Sequence, residues 1–451
     1  MVKTGFAQVN LNEEIDFIMG GMVVEFRSEK VHTPLFASAW ALEDENTKMI
    51  WVSCDVIGID GEKADIIKHG VEKETGVAAS NINVSATHTH SGPNIIIKSI
   101  YNDDRDESFL DEMYKRIIDS CIMAWNKRSE AYMGYGSGEV IKGCYNRRYM
   151  MEDGKSQMHP GGRDYPGRLF KEGPEDRELQ VVWFEDDNGL KGVIVNYTSH
   201  PSTLYAQKMI SADYPGVMRR VIQQTYGDIP VLFLQGCCGN TSAQNHEEDP
   251  GWWGSMLEGA ERVGIMLGGE AVKIIASVRP ERKYLESFEF ASDTARLNYL
   301  DIDDEQIKES ERIANDFTKV TKDKVARIAI DKEKYNISLT MANKIHILKQ
   351  KREKSLYYDA PITALSIGDV VFVTNPAELF VEYQLDMKEK IKGSHVIAAE
   401  ITNGICLYVP TKHGFLFKGY EVEQGWFDWD AGQTIEDTSV KLANNLLEKQ
   451  T

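Results

Sequence analysis

No apolar run in this sequence approaches the roughly 20 residues that a membrane-spanning helix requires. The N-terminus, "MVKTGFAQVNLNEEIDFIMGGM", has no basic stretch leading into an apolar one, so it does not read as a secretory signal. Cysteine is scarce: six in 451 residues (Cys54, Cys121, Cys144, Cys237, Cys238 and Cys406), with no CxxC pair among them. Without an export signal these read as free thiols, and the expected compartment is the cytoplasm. Positive charge is also short, with 51 Lys plus Arg against 70 Asp plus Glu and a formal net charge of −19. Phosphate backbones and anionic leaflets both select for surplus Lys and Arg. Nucleic acid and stable membrane association are therefore excluded as expected partners, and a small-molecule substrate fits. No internal repeat is visible, and no low-complexity linker divides the chain. Oligomeric state is left open.

What is present is ample core material, 42% hydrophobic residues, arranged as short apolar runs alternating with amphipathic, charge-rich segments. "MIWVSCDVIGI" predicts a strand ending near Asp55. "GEKADIIKHGVEKETG" has helical spacing that Gly76 stops, and "SFLDEMYKRIIDSCIMAWNKR" predicts a second helix. "LKGVIVNYTSHPSTL", "DIPVLFLQGCCGNTS", "DVVFVTNPAELF" and "HVIAAEITNGICLYVP" each predict a buried strand running into a polar or Gly/Pro-rich loop. The expected fold is α/β: one large domain over 1–451, with twisted mixed sheets flanked by helices. A charged, mainly helical surface segment is expected at about 301–354.

The polar residues fall at strand ends. "ATHTHSGPN" places His88 and His90 just past an alternating strand, where i and i+2 side chains share a face. His200, Ser242, Glu378 and Tyr408 lie at or past the ends of other predicted strands, which is where ligand crevices form in open α/β sheets. Each has a plainer reading. His200 before Pro201 reads as a hydrogen-bonded loop histidine. Asn375-Pro376-Ala377-Glu378 reads as a capping box, which on sequence physics outweighs a metal role for Glu378. Tyr408 reads as a strand aromatic. Cys237 and Cys238 read as buried, inert thiols. Gly236 and Gly239 permit close backbone approach to a ligand, and no G-x-S-x-G elbow surrounds Ser242. Arg147 and Arg148 are either an oxyanion or carboxylate clamp or a solvated pair. The Trp-rich stretches "DPGWWGSM" and "EQGWFDWDAG" either line a substrate mouth or pack in the core.

Taken together, "ATHTHSGPN", "NYTSHPSTL", "YNRRYMMEDG", "GPEDREL", "ISADYPG", "NPAELF" and "NGICLYVPT" followed by "GYEV" resemble, in order, the neutral/alkaline non-lysosomal ceramidase-like family. The resemblance implies one Zn2+ held by His88, His200, Glu378 and Tyr408. It also implies substrate contacts from His90 and Arg147, and places Ser242 where ceramidases proper carry a motif serine. Here Ala243 and Gln244 replace that motif's Pro and Asn, and Phe415 stands where the namesakes have a tyrosine. Their C-terminal immunoglobulin-like domain is not expected.

A histidine–carboxylate set suits zinc better than the all-oxygen-seeking Mg2+ or Ca2+. The expected activity is hydrolysis of an amide or ester bond in a soluble N-acyl or O-acyl compound by a metal-activated water. Arg147 would stabilise the oxyanion, and His90 would relay the proton. Two other expectations stand beside it: zinc-dependent cleavage of a glycoside or lactone, and a catalytically silent metabolite-binding protein.

Overall fold

The same topology recurs three times along the chain. In the computed structural model, which describes residues 1–11, 16–20, 27–95, 107–161, 164–205, 207–245, 254–318, 336–393 and 395–450, each unit is a three-stranded antiparallel meander, a helix, a fourth strand parallel to the third, and a further helix. The first unit has strands Lys3–Asn10, Phe36–Glu43 and Lys48–Cys54, helix Gly61–Thr75, strand Ile82–Ala86 and helix Glu107–Asn126. The second runs Tyr132–Glu139, Glu178–Asp186, Gly189–Tyr197, helix Asp213–Tyr226, strand Val231–Gln235 and helix Met256–Ser277. The third runs Phe288–Asn298, Tyr357–Ile367, Val370–Thr374, helix Val381–Lys390, strand His395–Ala399 and helix Ala431–Gln450. The expectation of no internal repeat is thus corrected at the level of topology. The units share an apolar pattern, which different residues satisfy equally well, and so leave no repeated motif in the sequence.

Both faces of each sheet are buried, which explains the near-continuous apolar runs. In the first sheet Ile50 and Val52 face a core with Ile67, Val71 and Ile117 from that unit's own helices. Trp51, between them, turns to the opposite face. There it joins a central core to which all three sheets contribute: Trp40 and Trp51, then Phe184 and Leu232, then Phe372 and Ile397. The Trp40 ring lies 5.6 Å from that of Phe184 and 5.8 Å from that of Phe372. The carboxyl ends of the parallel strands meet at one end of this core. Ala86 N donates to Ile401 O at 3.1 Å, and Glu400 N donates to Gln235 O at 2.8 Å.

In the charged segment, helices span Asp304–Thr318 and Leu339–Lys354, and 319–335 lie outside the described residues. The second is no mere surface helix, since it buries Ala342, Ile345, Ile347 and Leu348. No helix among the described residues is long and apolar enough to cross a membrane.

Candidate metal centre

Each unit sends residues to that common end. The strand Ile82–Ala86 finishes before the histidines, so alternation does not orient them. Instead His88 adopts a left-handed φ of 67°, and its N–H donates to Val56 O at 3.0 Å. His90 N donates to Pro201 O at 3.1 Å, joining this loop to the one that carries His200. Asp213 and Tyr214 anchor the His200 loop from below. The Asp213 carboxylate accepts from Thr203 Oγ1 and Leu204 N, and Tyr214 Oη donates to Ser199 O.

Three imidazoles converge as a result. His200 Nε2 stands 3.1 Å from His88 Nε2 and 3.0 Å from His90 Nε2. Glu378 Oε2 lies 3.4 Å from His88 Nε2 and 4.0 Å from His200 Nε2. The tautomers follow from the outer partners. His88 Nδ1 contacts Ile57 O at 2.6 Å and His200 Nδ1 contacts Cys238 O at 3.4 Å, and a carbonyl only accepts. Both rings therefore carry their proton on Nδ1 and turn an Nε2 lone pair toward the same point. Burial, then the charge of Arg147 and the neighbouring imidazoles, holds the His200 pKa well below the ordinary histidine value, which keeps the ring neutral. Glu378 Oε2 is buried and has no hydrogen-bond partner among the described residues. Facing lone pairs beside an unsatisfied carboxylate oxygen repel one another unless a cation sits among them. The spacing suits one: ligand atoms on a tetrahedral zinc stand about 3.3 Å apart. The residues present thus fit a divalent cation, and His88, His90 and His200 form the histidine group able to hold it.

Glu378 is not a helix cap. Glu378–Leu379 pairs in parallel with Tyr408–Val409, with Glu378 opposite Tyr408, and the next helix begins only at Val381 after an N-cap, Phe380, that makes no side-chain cap. Asn375 Oδ1 instead accepts from Ala377 N at 2.9 Å, closing a turn that leaves Glu378 extended. Tyr408 is buried, and its ring stacks 6.3 Å from that of His200. Burial, then the Glu378 charge, raises its pKa well above the usual phenol value.

Arg147 and Arg148 are neither solvated nor free to clamp an outside anion alone. Glu421, fully buried, takes Arg147 Nε at 2.9 Å and Arg148 Nη1 at 2.5 Å. Arg147 Nη2 donates to Gly239 O at 2.9 Å. Burial works to lower the Arg147 pKa, but Tyr408 and Glu421 beside it, Tyr408 also through a hydrogen bond, hold it above the ordinary arginine value. The paired arginines are the signal by which Glu421, in "GYEV", could have been found, because two buried cations require a buried anion.

Ser242 lies in the two-residue strand Thr241–Ser242 against Tyr145–Asn146. Its Oγ accepts from Gln244 N at 3.3 Å. All six cysteines are free and buried. The glycines of "QGCCG" make room for the protein's own atoms: a Cβ on Gly239 would stand 2.4 Å from Glu378 O, and one on Gly236 2.4 Å from Thr198 Oγ1. Of the tryptophans, Trp252 and Trp253 lie outside the described residues, Trp426 is core, and Trp429 is exposed beside Lys412 Nζ at 4.4 Å. Phe415 sits half-buried in the short helix Lys412–Leu416.

Comparison with known proteins adds a family resemblance and a fold. Residues 14–229 match the family model described as neutral/alkaline non-lysosomal ceramidase, N-terminal. A solved structure titled "Ceramidase complexed with C2" superposes with a TM-score of 0.74 at 17% identity, covering 99% of this chain and 75% of the other. The neutral ceramidase from Pseudomonas aeruginosa gives 0.73 at 19% identity, with the same 99% and 75% coverage. No curated protein matches the chain.

Proposed function

For a chain of the neutral/alkaline ceramidase-like family, we propose a zinc-dependent hydrolase that cleaves the amide, or ester, bond of a soluble N-acyl or O-acyl compound. The observation carrying this reading is the convergence of imidazole lone pairs and an unsatisfied carboxylate oxygen at one buried point. His88, His200, Glu378 and Tyr408 are the proposed holders of the metal. Zinc there supplies Lewis acidity, which polarises a carbonyl and lowers the pKa of a water.

The rest falls to the chain. His88 and His200 are oriented by their Nδ1 contacts with backbone carbonyls. His90 is only partly buried, and its imidazole lies within proton-transfer distance of the cluster, so it relays the proton to the leaving group. Arg147, immobilised by Glu421 and Gly239 O, offers a fixed positive charge beside Tyr408 for a developing oxyanion. Ser242 is proposed at this site only from its place in the motif, and its Oγ accepts from Gln244 N.

The net charge of −19 favours a diffusible acyl substrate over ceramide in a bilayer. The test is metal analysis with turnover on a panel of N-acyl and O-acyl substrates, including ceramide in detergent. One equivalent of zinc and amide hydrolysis abolished in a His88→Ala/His200→Ala double variant are expected. Undiminished hydrolysis in that variant would overturn the mechanism, and ceramide cleavage exceeding every soluble substrate would overturn the substrate class.

A further inference from the structure

Glu400 has no place in the chemistry above, yet it is fully buried a few residues from it. It is the first residue past the third unit's parallel strand, His395–Ala399. Its two carboxylate oxygens reach in different directions. Oε1 accepts from Cys238 N at 3.0 Å, and Oε2 accepts from Leu379 N at 2.9 Å. Its own N–H donates to Gln235 O at 2.8 Å.

Each amide it takes belongs to a backbone that sets a candidate ligand. Cys238 presents its carbonyl, and its Sγ at 3.2 Å, to His200 Nδ1. Leu379 directly follows Glu378 in the strand that faces Tyr408. Gly239 N also donates to Leu379 O at 2.8 Å, so the two segments already run side by side. One side chain from the third unit thus spans the second-unit loop behind His200 and the third-unit strand carrying Glu378. A carboxyl group places two oxygens on one side chain, so that it can accept from two separate N–H groups at once.

We propose that Glu400 is a positioning residue: by accepting from Cys238 N and Leu379 N together, it sets the distance between His200 and Glu378 and so presets the cavity for a divalent cation. The inference rests on the metal-centre reading. Glu400→Gln keeps the shape but turns one acceptor into a donor aimed at an N–H. Glu400→Asp keeps the carboxyl group but is one methylene too short to reach both amides. Neither touches a proposed ligand.

The measurement is zinc affinity by competition with a chromophoric chelator, alongside the visible spectrum of the Co2+-substituted protein. Thr363→Val serves as control, because it removes buried hydrogen bonds to Asn83 and Thr374 between sheet strands, at a residue that bonds neither Cys238 nor Leu379. Both Glu400 variants are expected to bind zinc 10- to 100-fold more weakly with an altered Co2+ spectrum, while Thr363→Val binds as the native protein does. Affinity within twofold of native, or a loss matched by Thr363→Val, overturns the proposal while leaving the metal centre intact. If the native protein binds no zinc, the metal-centre reading fails, and this one with it. Should the Glu400 variants not fold, hydrogen exchange on the native protein decides. Zinc is expected to raise protection of the Cys238 and Leu379 amides together, and a rise at only one of them overturns the proposal.

Discussion

His88 and His90 stand two residues apart, and both bring an Nε2 into the same cluster, but their surroundings differ. His88 is buried, with its Nδ1 bonded to Ile57 O. His90 is partly exposed beside Tyr205, ring centroids 6.1 Å apart. A rigid, desolvated ring suits a ligand, and a ring with room to exchange a proton suits an acid or base. His88→Ala is therefore expected to lose zinc and activity together. His90→Ala is expected to keep zinc within a fewfold of native and to lose about 10²- to 10⁴-fold in kcat. Equilibrium dialysis with kinetics separates the two, and loss of zinc in His90→Ala would make it a ligand instead. Gly239→Ala supplies an independent check: its Cβ would press on Glu378 O from 2.4 Å, and the atom it meets is backbone. Metal affinity is expected to fall without any ligand being changed. At this scale sequence reading was uneven. The His88-x-His90 pair was legible because its spacing past a strand allows chelation, whereas His200 read locally as a loop histidine and joined the set through the resemblance. Glu378 is named by the family resemblance but not by local sequence physics, because Asn375-Pro376-Ala377-Glu378 satisfies the local rules of a helix start and only the pairing with Tyr408–Val409 overrides them. Glu421 and Glu400 were missed because a lone buried acid reveals itself only through the partners around it.

Among the elements, helix Leu339–Lys354 has the most unusual environment. Its charge predicts a surface segment, yet Lys344 is buried in it and donates to Val422 O at 3.1 Å. Val422 belongs to the short helix Tyr420–Gln424 that also carries Glu421. Burial lowers the Lys344 pKa to about 8, with Glu423 opposing the shift. The unfolded chain then binds this proton more tightly than the folded one between pH 8 and the ordinary lysine value near 10.5. Stability tied to Lys344 is complete only above that window. It falls as pH drops through the window and stays reduced below it. Lys344→Met is expected to gain roughly 3 kcal/mol on the native protein at pH 7, less the lost hydrogen bond, with the gain shrinking toward pH 10. Urea titrations of both proteins at several pH values check this, and a pH-independent difference would refute it. The amphipathic helices and buried strands were legible because their periods, 3.6 and 2, survive in the residues themselves. The burial of this helix was not, because its charged residues mask an apolar stripe of Ala342, Ile345 and Leu348.

For the whole molecule, the decisive feature is that three topologically equivalent units share one central core, while each also has an outer core of its own. No unit can leave without exposing the inner faces of the other two. Phe372 sits at this junction, fully buried, with its ring 5.8 Å from that of Trp40 and 5.7 Å from that of Trp51, both in the first sheet. Phe372→Ala is expected to cost about 3–5 kcal/mol, and Ile67→Ala, in the first unit's outer core, about 2–5 kcal/mol. Because the inner core couples the units, both variants are expected to lower the same transition. That transition should coincide when followed by tryptophan fluorescence and by far-UV circular dichroism. The alternative is three modules that fold separately. It predicts non-coincident curves, with Phe372→Ala and Ile67→Ala shifting different portions of them. The proposed metal centre makes the distinction matter for function. The residues proposed for it come from all three units, His88 from the first, His200 from the second, and Glu378 with Tyr408 from the third. Under the coupled behaviour, zinc is released in the same step as the loss of tryptophan packing. Release well before that step would mean that the units hold the site without holding one another.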